Sequence, residues 1–242
     1  MNFYSVIIGT ELLNGRRKDA HFSFLNNELL KRGWDQKASF VIEDDPAFIE
    51  DIFKFIKNDK DSVMFCFGGI GATPDDYTRV CAANVFTNGK MEVNEDAKKA
   101  ILDKFGDDAY PHRINMATLP VNAGLLKNVV TNVPGFYLED RFFFTPGFPK
   151  MSQYMVVEAL DKFYKENNNK KVRFSLVANC SENELVDIMK TIPKNIEFSS
   201  LPRINGDKRS VEISLASYNK NECENYFKRF VDYLNNNMIE CQ

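Results

Sequence analysis

One stretch constrains this chain more than any other: Phe67-Gly68-Gly69-Ile70-Gly71-Ala72-Thr73-Pro74-Asp75-Asp76-Tyr77-Thr78. The apolar run Ser62–Phe67 leading into it has the length and composition of a buried strand. Residues 75–86 then carry apolar side chains at Tyr77, Val80, Cys81, Ala83 and Val85, a helical pattern. The segment reads strand, glycine-rich turn, helix. Gly68, Gly69 and Gly71 let the backbone pass close to a ligand and turn its N–H groups toward an anion. A helix starting at Asp75 adds its positive end. Asp75 and Asp76 in that first turn have two readings. They cap a helix, or they form a pair of acids beside an anion loop that suits a divalent cation bridging to phosphate. The stretch has neither the Lys-Ser/Thr ending of a P-loop nor the glycine spacing of a dinucleotide fingerprint.

The residues before it repeat the same grammar. Residues 3–8 are apolar enough for a first strand and end at Gly9-Thr10-Glu11-Leu12-Leu13-Asn14-Gly15, a second loop of small and acidic residues. Phe22, Leu25, Leu29 and Leu30 define a helix stopped by Arg32-Gly33. Residues 38–42 form a strand, and Glu43-Asp44-Asp45-Pro46 opens a helix with Phe48, Ile49, Ile52, Phe53 and Ile56 as its apolar stripe. A β-α-β-α-β-α order implies a parallel sheet with right-handed crossovers and helices on both faces. Ligands collect beyond the carboxyl ends of such strands, so the loops at 9–15, 43–45 and 68–76 are expected to converge.

Further on, residues 94–105 read as a helix and 107–120 as irregular. Short strands are expected at 125–132, 135–138 and 141–145, then a helix over 151–165. The polar run 165–171 is a linker. Beyond it come a strand (172–178), a helix (181–191) opened by the capping box Ser181-x-x-Glu184, strands at 196–201 and 211–218 joined through Asn205-Gly206-Asp207, and a helix over 222–234. The expected organisation is a three-layer, mostly parallel α/β domain over 1–165, a linker at 166–171, and a small β-α-β-β-α unit of α+β class over 172–242.

Composition narrows the functional classes. With 242 residues, a net charge of −3 and a pI near 5.6, the chain lacks the basic footprint of a nucleic-acid binder. No apolar run reaches the roughly 18 residues of a spanning helix, and residues 1–4 lead straight into a strand without a basic-then-apolar signal. Five scattered cysteines without a Cys-x-x-Cys spacing read as reduced thiols of a cytoplasmic protein. His21 and His112 are too few and too far apart in sequence for a histidine-rich metal site.

Taken jointly, Gly9-Thr10-Glu11-Leu12-Leu13-x-Gly15, Asp44, Gly68-Gly69-x-Gly71-x-Thr73-x-Asp75-Asp76-x-Thr78, Pro134-Gly135-Phe136 and Pro146-Gly147-x-Pro149 resemble the MoaB/Mog-like molybdopterin-binding domain family over residues 3–165, in the form found in competence/damage-inducible proteins of the CinA type. The linker and small α+β unit resemble the next domain of that type. The amidohydrolase domain that follows in many such proteins is expected to be absent, since the sequence ends at Gln242, and nicotinamide-nucleotide deamidation is not carried over. The resemblance implies a cleft for a phosphorylated pterin or adenine nucleotide, with Asp44 and Asp76 as functional acids holding Mg²⁺ or a similar ion. It also implies metal-dependent hydrolysis of ADP-ribose or a similar dinucleotide, and self-association as a homodimer. The sequence departs from the family pattern at Ala72 (usually Pro), Pro74 (commonly Lys or Arg), His21 (usually Asn), Asn132 (a small Gly-Thr loop) and Phe148 (usually Pro).

The expected site thus comprises Asp44 and Asp76 as catalytic and metal-holding acids, with Thr10, Glu11, Gly68, Gly69, Gly71, Thr73, Asp75, Thr78, Pro146 and Gly147 around the phosphorylated ligand. Each residue has a plainer reading: Asp75 or Asp76 as a cap, Asp44 as part of an ordinary strand-to-helix turn, Glu11 as a solvated acid, Thr78 as a buttress of its helix. Three functions remain open: a metal-dependent phosphoanhydride hydrolase, a pterin- or nucleotide-binding protein without turnover, and a structural partner dimerising through its small C-terminal domain.

Overall fold

The computed structural model describes residues 1–168, 170–205 and 208–242. The chain divides into two compact units, Met1–Asn167 and Asn168–Gln242. In the first unit, strand β1 (Asn2–Ile8) leads through a single helical turn α1 (Thr10–Leu13) to helix α2 (His21–Lys31), strand β2 (Gln36–Ile42), helix α3 (Pro46–Asn58) and strand β3 (Ser62–Phe67). Helix α4 (Thr78–Phe86), strand β4 (Met91–Val93), helix α5 (Glu95–Phe105) and strands β5 (Thr118–Pro120), β6 (Gly124–Leu126), β7 (Gly135–Leu138) and β8 (Phe142–Thr145) follow. Helix α6 (Pro149–Phe163) closes the unit.

The main sheet has the order β2-β1-β3-β8-β7-β6. β2, β1, β3 and β8 run parallel, and the β6–β7 hairpin continues the sheet antiparallel. Every residue of β3 is buried, as a parallel strand covered on both faces requires. Strand alternation sorts its side chains: Met64 and Cys66 join the core under α3, α4 and α5, whereas Val63, Phe65 and Phe67 join the core under α2 and α6. The phenylalanines of β8 divide likewise. Phe144 stacks on Phe136 at 4.5 Å and Phe143 on Phe65 at 4.8 Å. This is the expected three-layer, mostly parallel α/β architecture.

Several elements differ from expectation. α4 begins at Thr78, not Asp75, because Asp75 and Asp76 lie in the preceding turn; neither caps the helix, whose N-cap position is Tyr77 without a side-chain bond. Val80, Phe22, Leu30 and Phe48 are exposed, so four residues assigned to apolar stripes face away from the core. The strand expected over 125–132 stops at Leu126. Buried Asn128 then winds the chain into a turn, its side chain bonding Val130 N, Thr131 N, Thr131 Oγ1 and Val133 O. β5 lies within the 107–120 stretch expected to be irregular, where it pairs antiparallel with β4. The Glu43–Pro46 turn is as anticipated: Asp45 caps α3 by accepting from Phe48 N at 2.7 Å, with Pro46 in the first turn.

In the second unit, strands β9 (Val172–Ala178), β10 (Glu197–Asn205) and β11 (Lys208–Ser217) form an antiparallel sheet of order β10-β11-β9. Helix α8 (Lys220–Asn236) buries Cys223, Phe230 and Leu234. The helix expected over 181–191 is a 3-10 turn (Glu182–Leu185) followed by a single α turn α7 (Val186–Met189), entered through the Ser181–Glu184 capping box. Gly206 and Asp207, expected at the hairpin turn, and Asn169 of the expected linker lie outside the described residues.

Candidate functional site

Parallel pairing puts the loops after β1, β2, β3 and β8 at one edge of the sheet, and together they surround a cavity of about 300 Å³. Its lining includes Glu11, Asp44, Gly68, Gly69, Thr73, Asp75, Asp76 and Gly147. Asp44 and Asp76, which leave different strands, therefore reach one cleft.

Each acid is pinned by a threonine. Asp44 Oδ2 accepts from Thr10 N at 2.8 Å and from Thr10 Oγ1 at 2.9 Å. Asp76 Oδ2 accepts from Thr73 N at 2.7 Å and Thr73 Oγ1 at 2.5 Å. In both cases one oxygen takes two donors, and Oδ1 stands outside those bonds. The side chain of Thr73 also holds the Asp75 carboxyl below its ordinary value.

The glycines answer to the loop's own packing. A Cβ on Gly68, where φ is +103°, would lie 2.5 Å from Ile8 O; one on Gly71 would lie 2.6 Å from Asp76 Oδ2. Gly69, at φ +67°, has no room for a Cβ against Thr78 Oγ1. Thr78 is fully buried, donating from Oγ1 to Gly68 O at 2.9 Å and from N to Gly69 O at 2.9 Å. It buttresses the loop from below. Thr73 N is committed to Asp76, whereas the amides of Gly69 through Ala72 donate to no group among the described residues. Gly71 and Pro146 line a separate apolar cavity of about 220 Å³, and Thr10 acts on the cleft through Asp44.

Beneath the loop lies a cation. Arg79 Nη1 donates to Ile70 O at 2.5 Å and to Gly71 O. Burial pulls its pKa down, opposed by the charge of Asp76.

The lining residues not expected there include Arg17, Lys18, His21 and Phe148. Arg17 lies 3.8 Å from Glu11 and its guanidinium stands 5.7 Å from the centroid of the Phe148 ring. The basic run Arg16-Arg17-Lys18 after the first strand was the available signal. It supplies positive charge to a cleft whose loop carries Pro74 in place of a cation. His112 and Arg113 line a different cavity, on the side of Pro74.

The resemblance implies a divalent cation, and the donor set bears on that. Among the described residues, no group of three or more His, Cys, Asp or Glu side chains is placed to hold a metal ion. Two carboxylates with one uncommitted oxygen each fit a cation that completes its coordination with phosphate and water, as Mg²⁺ commonly does. They do not fit a cation caged by protein alone.

Residues 5–165 match the family described as a probable molybdopterin binding domain. A CinA-like protein of Fusobacterium nucleatum is 32% identical over 166 residues, covering 68% of this chain and 40% of that relative's length. A protein of Sulfolobus acidocaldarius is 26% identical over 251 residues and 94% of each chain. Among solved structures, CinA of Thermoplasma acidophilum, described as of unknown function, superposes with a TM-score of 0.60 at 28% identity, covering 66% of this chain and 96% of that one. No helix among the described residues is long and apolar enough to cross a membrane. The chain belongs to the molybdopterin-binding-domain family, in a form similar to CinA-like proteins.

Proposed function

We propose that this protein is a metal-dependent pyrophosphatase that binds ADP-ribose or a similar adenine dinucleotide in the cleft and hydrolyses its phosphoanhydride. The observation that carries this reading is the convergence of Asp44 and Asp76, each fixed by a threonine, on a cavity that also contains Arg17 and Lys18. Arg17 and Lys18 attract the diphosphate, and the amides of Gly69 through Ala72 receive its oxygens. Asp44 and Asp76 would hold the divalent cation, which would supply charge neutralisation at the phosphates and an oriented water. Water adds across the bridging P–O bond, that bond breaks, and ADP-ribose yields AMP and ribose 5-phosphate with release of protons. Phe148, exposed at the rim, offers a ring face for a base.

A second reading is a pterin- or nucleotide-binding protein without turnover. It is favoured by the lack of a three-carboxylate cluster among the described residues. Incubation with ADP-ribose, FAD, NAD and ATP, with and without Mg²⁺, separates the two. Metal-dependent release of mononucleotide supports the first; saturable binding without release removes it and leaves the second.

A further inference from the structure

His21 is the first residue of α2 and part of the cleft wall, only 6% exposed. Its ring packs against Phe67 at 4.6 Å between centroids, and Nδ1 lies 3.0 Å from Asp19 Oδ1. Asp19 also accepts from His21 N at 2.9 Å and Phe22 N at 3.0 Å. Burial pushes the Asp19 carboxyl up, but these donated hydrogen bonds outweigh it and hold it below its ordinary value. An ionised carboxylate only accepts, so the proton between the two side chains sits on Nδ1. Burial lowers the His21 pKa and outweighs the opposing pull of Asp19, so the ring is neutral near pH 7. Nε2 therefore carries a lone pair.

That lone pair has no partner. Nε2 is one of two buried side-chain polar atoms without a hydrogen bond among the described residues. Buried polar atoms are normally paired, and tether and stack together hold the ring where it is. A phosphate oxygen does not satisfy Nε2, because it too presents lone pairs. An O–H or N–H does.

We infer that His21 is a ligand-binding residue whose Nε2 accepts a hydrogen bond from a sugar hydroxyl of the bound phosphorylated ligand. Arg17 and Lys18 in the same wall take the phosphate, so the cleft reads two features of one molecule: an anion and, beside it, a hydroxyl donor. The inference rests on the proposed dinucleotide reading and deepens it, naming a ribose as the part held at the α2 side of the cleft.

The test compares ADP-ribose with analogues lacking single ribose hydroxyls, by calorimetry on the full chain. Wild-type protein is expected to bind one deoxy analogue about tenfold more weakly than ADP-ribose, the scale of one hydrogen bond. His21→Phe, which keeps a ring against Phe67, binds the two equally, and His21→Gln, which restores an acceptor, recovers part of the preference. Equal wild-type affinity for ADP-ribose and every analogue overturns the inference, and is the result expected if a resident water satisfies Nε2. So does discrimination that survives in His21→Phe, which would show that the hydroxyl bonds to a different acceptor. A separate readout does not depend on ADP-ribose. The ¹⁵N spectrum of ligand-free protein must show His21 neutral and protonated at Nδ1, and an Nε2-protonated ring overturns the inference outright. If no ADP-ribose binding is found while that spectrum is as expected, the dinucleotide reading falls, and the sugar-hydroxyl assignment falls with it unless ribose 5-phosphate shifts the His21 resonances.

Discussion

Thr73 donates twice, from its backbone N at 2.7 Å and from Oγ1 at 2.5 Å, to the same oxygen of Asp76. The carboxylate is thereby held by the loop it belongs to, with one oxygen engaged and the other available. An amide in its place keeps a carbonyl oxygen for both donors. Asp76→Asn should accordingly leave stability within about 1 kcal/mol of wild type while lowering ADP-ribose hydrolysis by about 100-fold or more. That exceeds the 10- to 100-fold typical of residues that only orient a metal ligand. Thermal unfolding and initial rates with Mg²⁺ check it; full metal-dependent activity would remove Asp76 from the mechanism.

Thr10→Val and Thr73→Val test the orienting residues themselves. Each deletes one hydroxyl donor and leaves the backbone N–H in place. The expected loss is about 10-fold in turnover, with metal affinity falling in parallel. A loss confined to stability, with rates unchanged, would reduce both threonines to scaffolding.

The glycine loop was legible as a loop, and the structure adds an internal reason for its glycines. Three glycines predict close approach of a ligand, and in the structure all three also make room for the protein itself: Gly68 for Ile8 O, Gly69 for Thr78, and Gly71 for the Asp76 carboxylate. Gly71→Ala should displace Asp76 and cost about 1–3 kcal/mol by overpacking, with loss of activity. Gly147→Ala, whose Cβ would meet Gly68 Cα at 3.3 Å, should be milder. Equal effects in the two variants, measured by denaturant unfolding and turnover, would contradict this ordering.

His21 makes a pH prediction. Its pKa is lowered on folding, so the unfolded chain binds a proton that the folded chain resists. The associated stability is present above the ordinary value of 6.5 and declines as pH falls through the lower folded value. The charges acting on it are Asp19, which favours the imidazolium, and Arg17, which opposes it. Wild-type melting temperature should fall more steeply than that of His21→Phe as the buffer is taken from about pH 7 to about pH 5. Parallel curves would show that His21 does not titrate in this range.

Self-association is expected from the family resemblance. Sedimentation at micromolar concentration should give a mass about twice the 27.8 kDa of one chain. A monomer under those conditions counts against it.

The alternation of apolar runs and helical stripes made the parallel core readable, because burial on both faces demands continuous apolar strands such as Ser62–Phe67. Element edges were less readable where polar side chains set them. Asn128 ends a strand by bonding its own turn, and the Thr73–Asp76 pairing delays α4 to Thr78. Arg17 and Lys18 were visible only as a charge run. Nothing local says that a run after β1 faces the loop after β3; that follows from the sheet order.

The guanidinium of Arg79 has a consequence for the speed of recognition. A trans peptide points its N–H opposite to its C=O. With Ile70 O and Gly71 O drawn down onto Arg79, the amides of Gly71 and Ala72 are turned away from it before any guest arrives. The loop is thus already polarised, like a magnet aligned before use, and an incoming anion has no peptide to flip. A lysine, with a single ammonium in place of a planar fork, holds two carbonyls less rigidly. Arg79→Lys should therefore slow anion capture more than it hastens release, a distinction that stopped-flow association traces resolve.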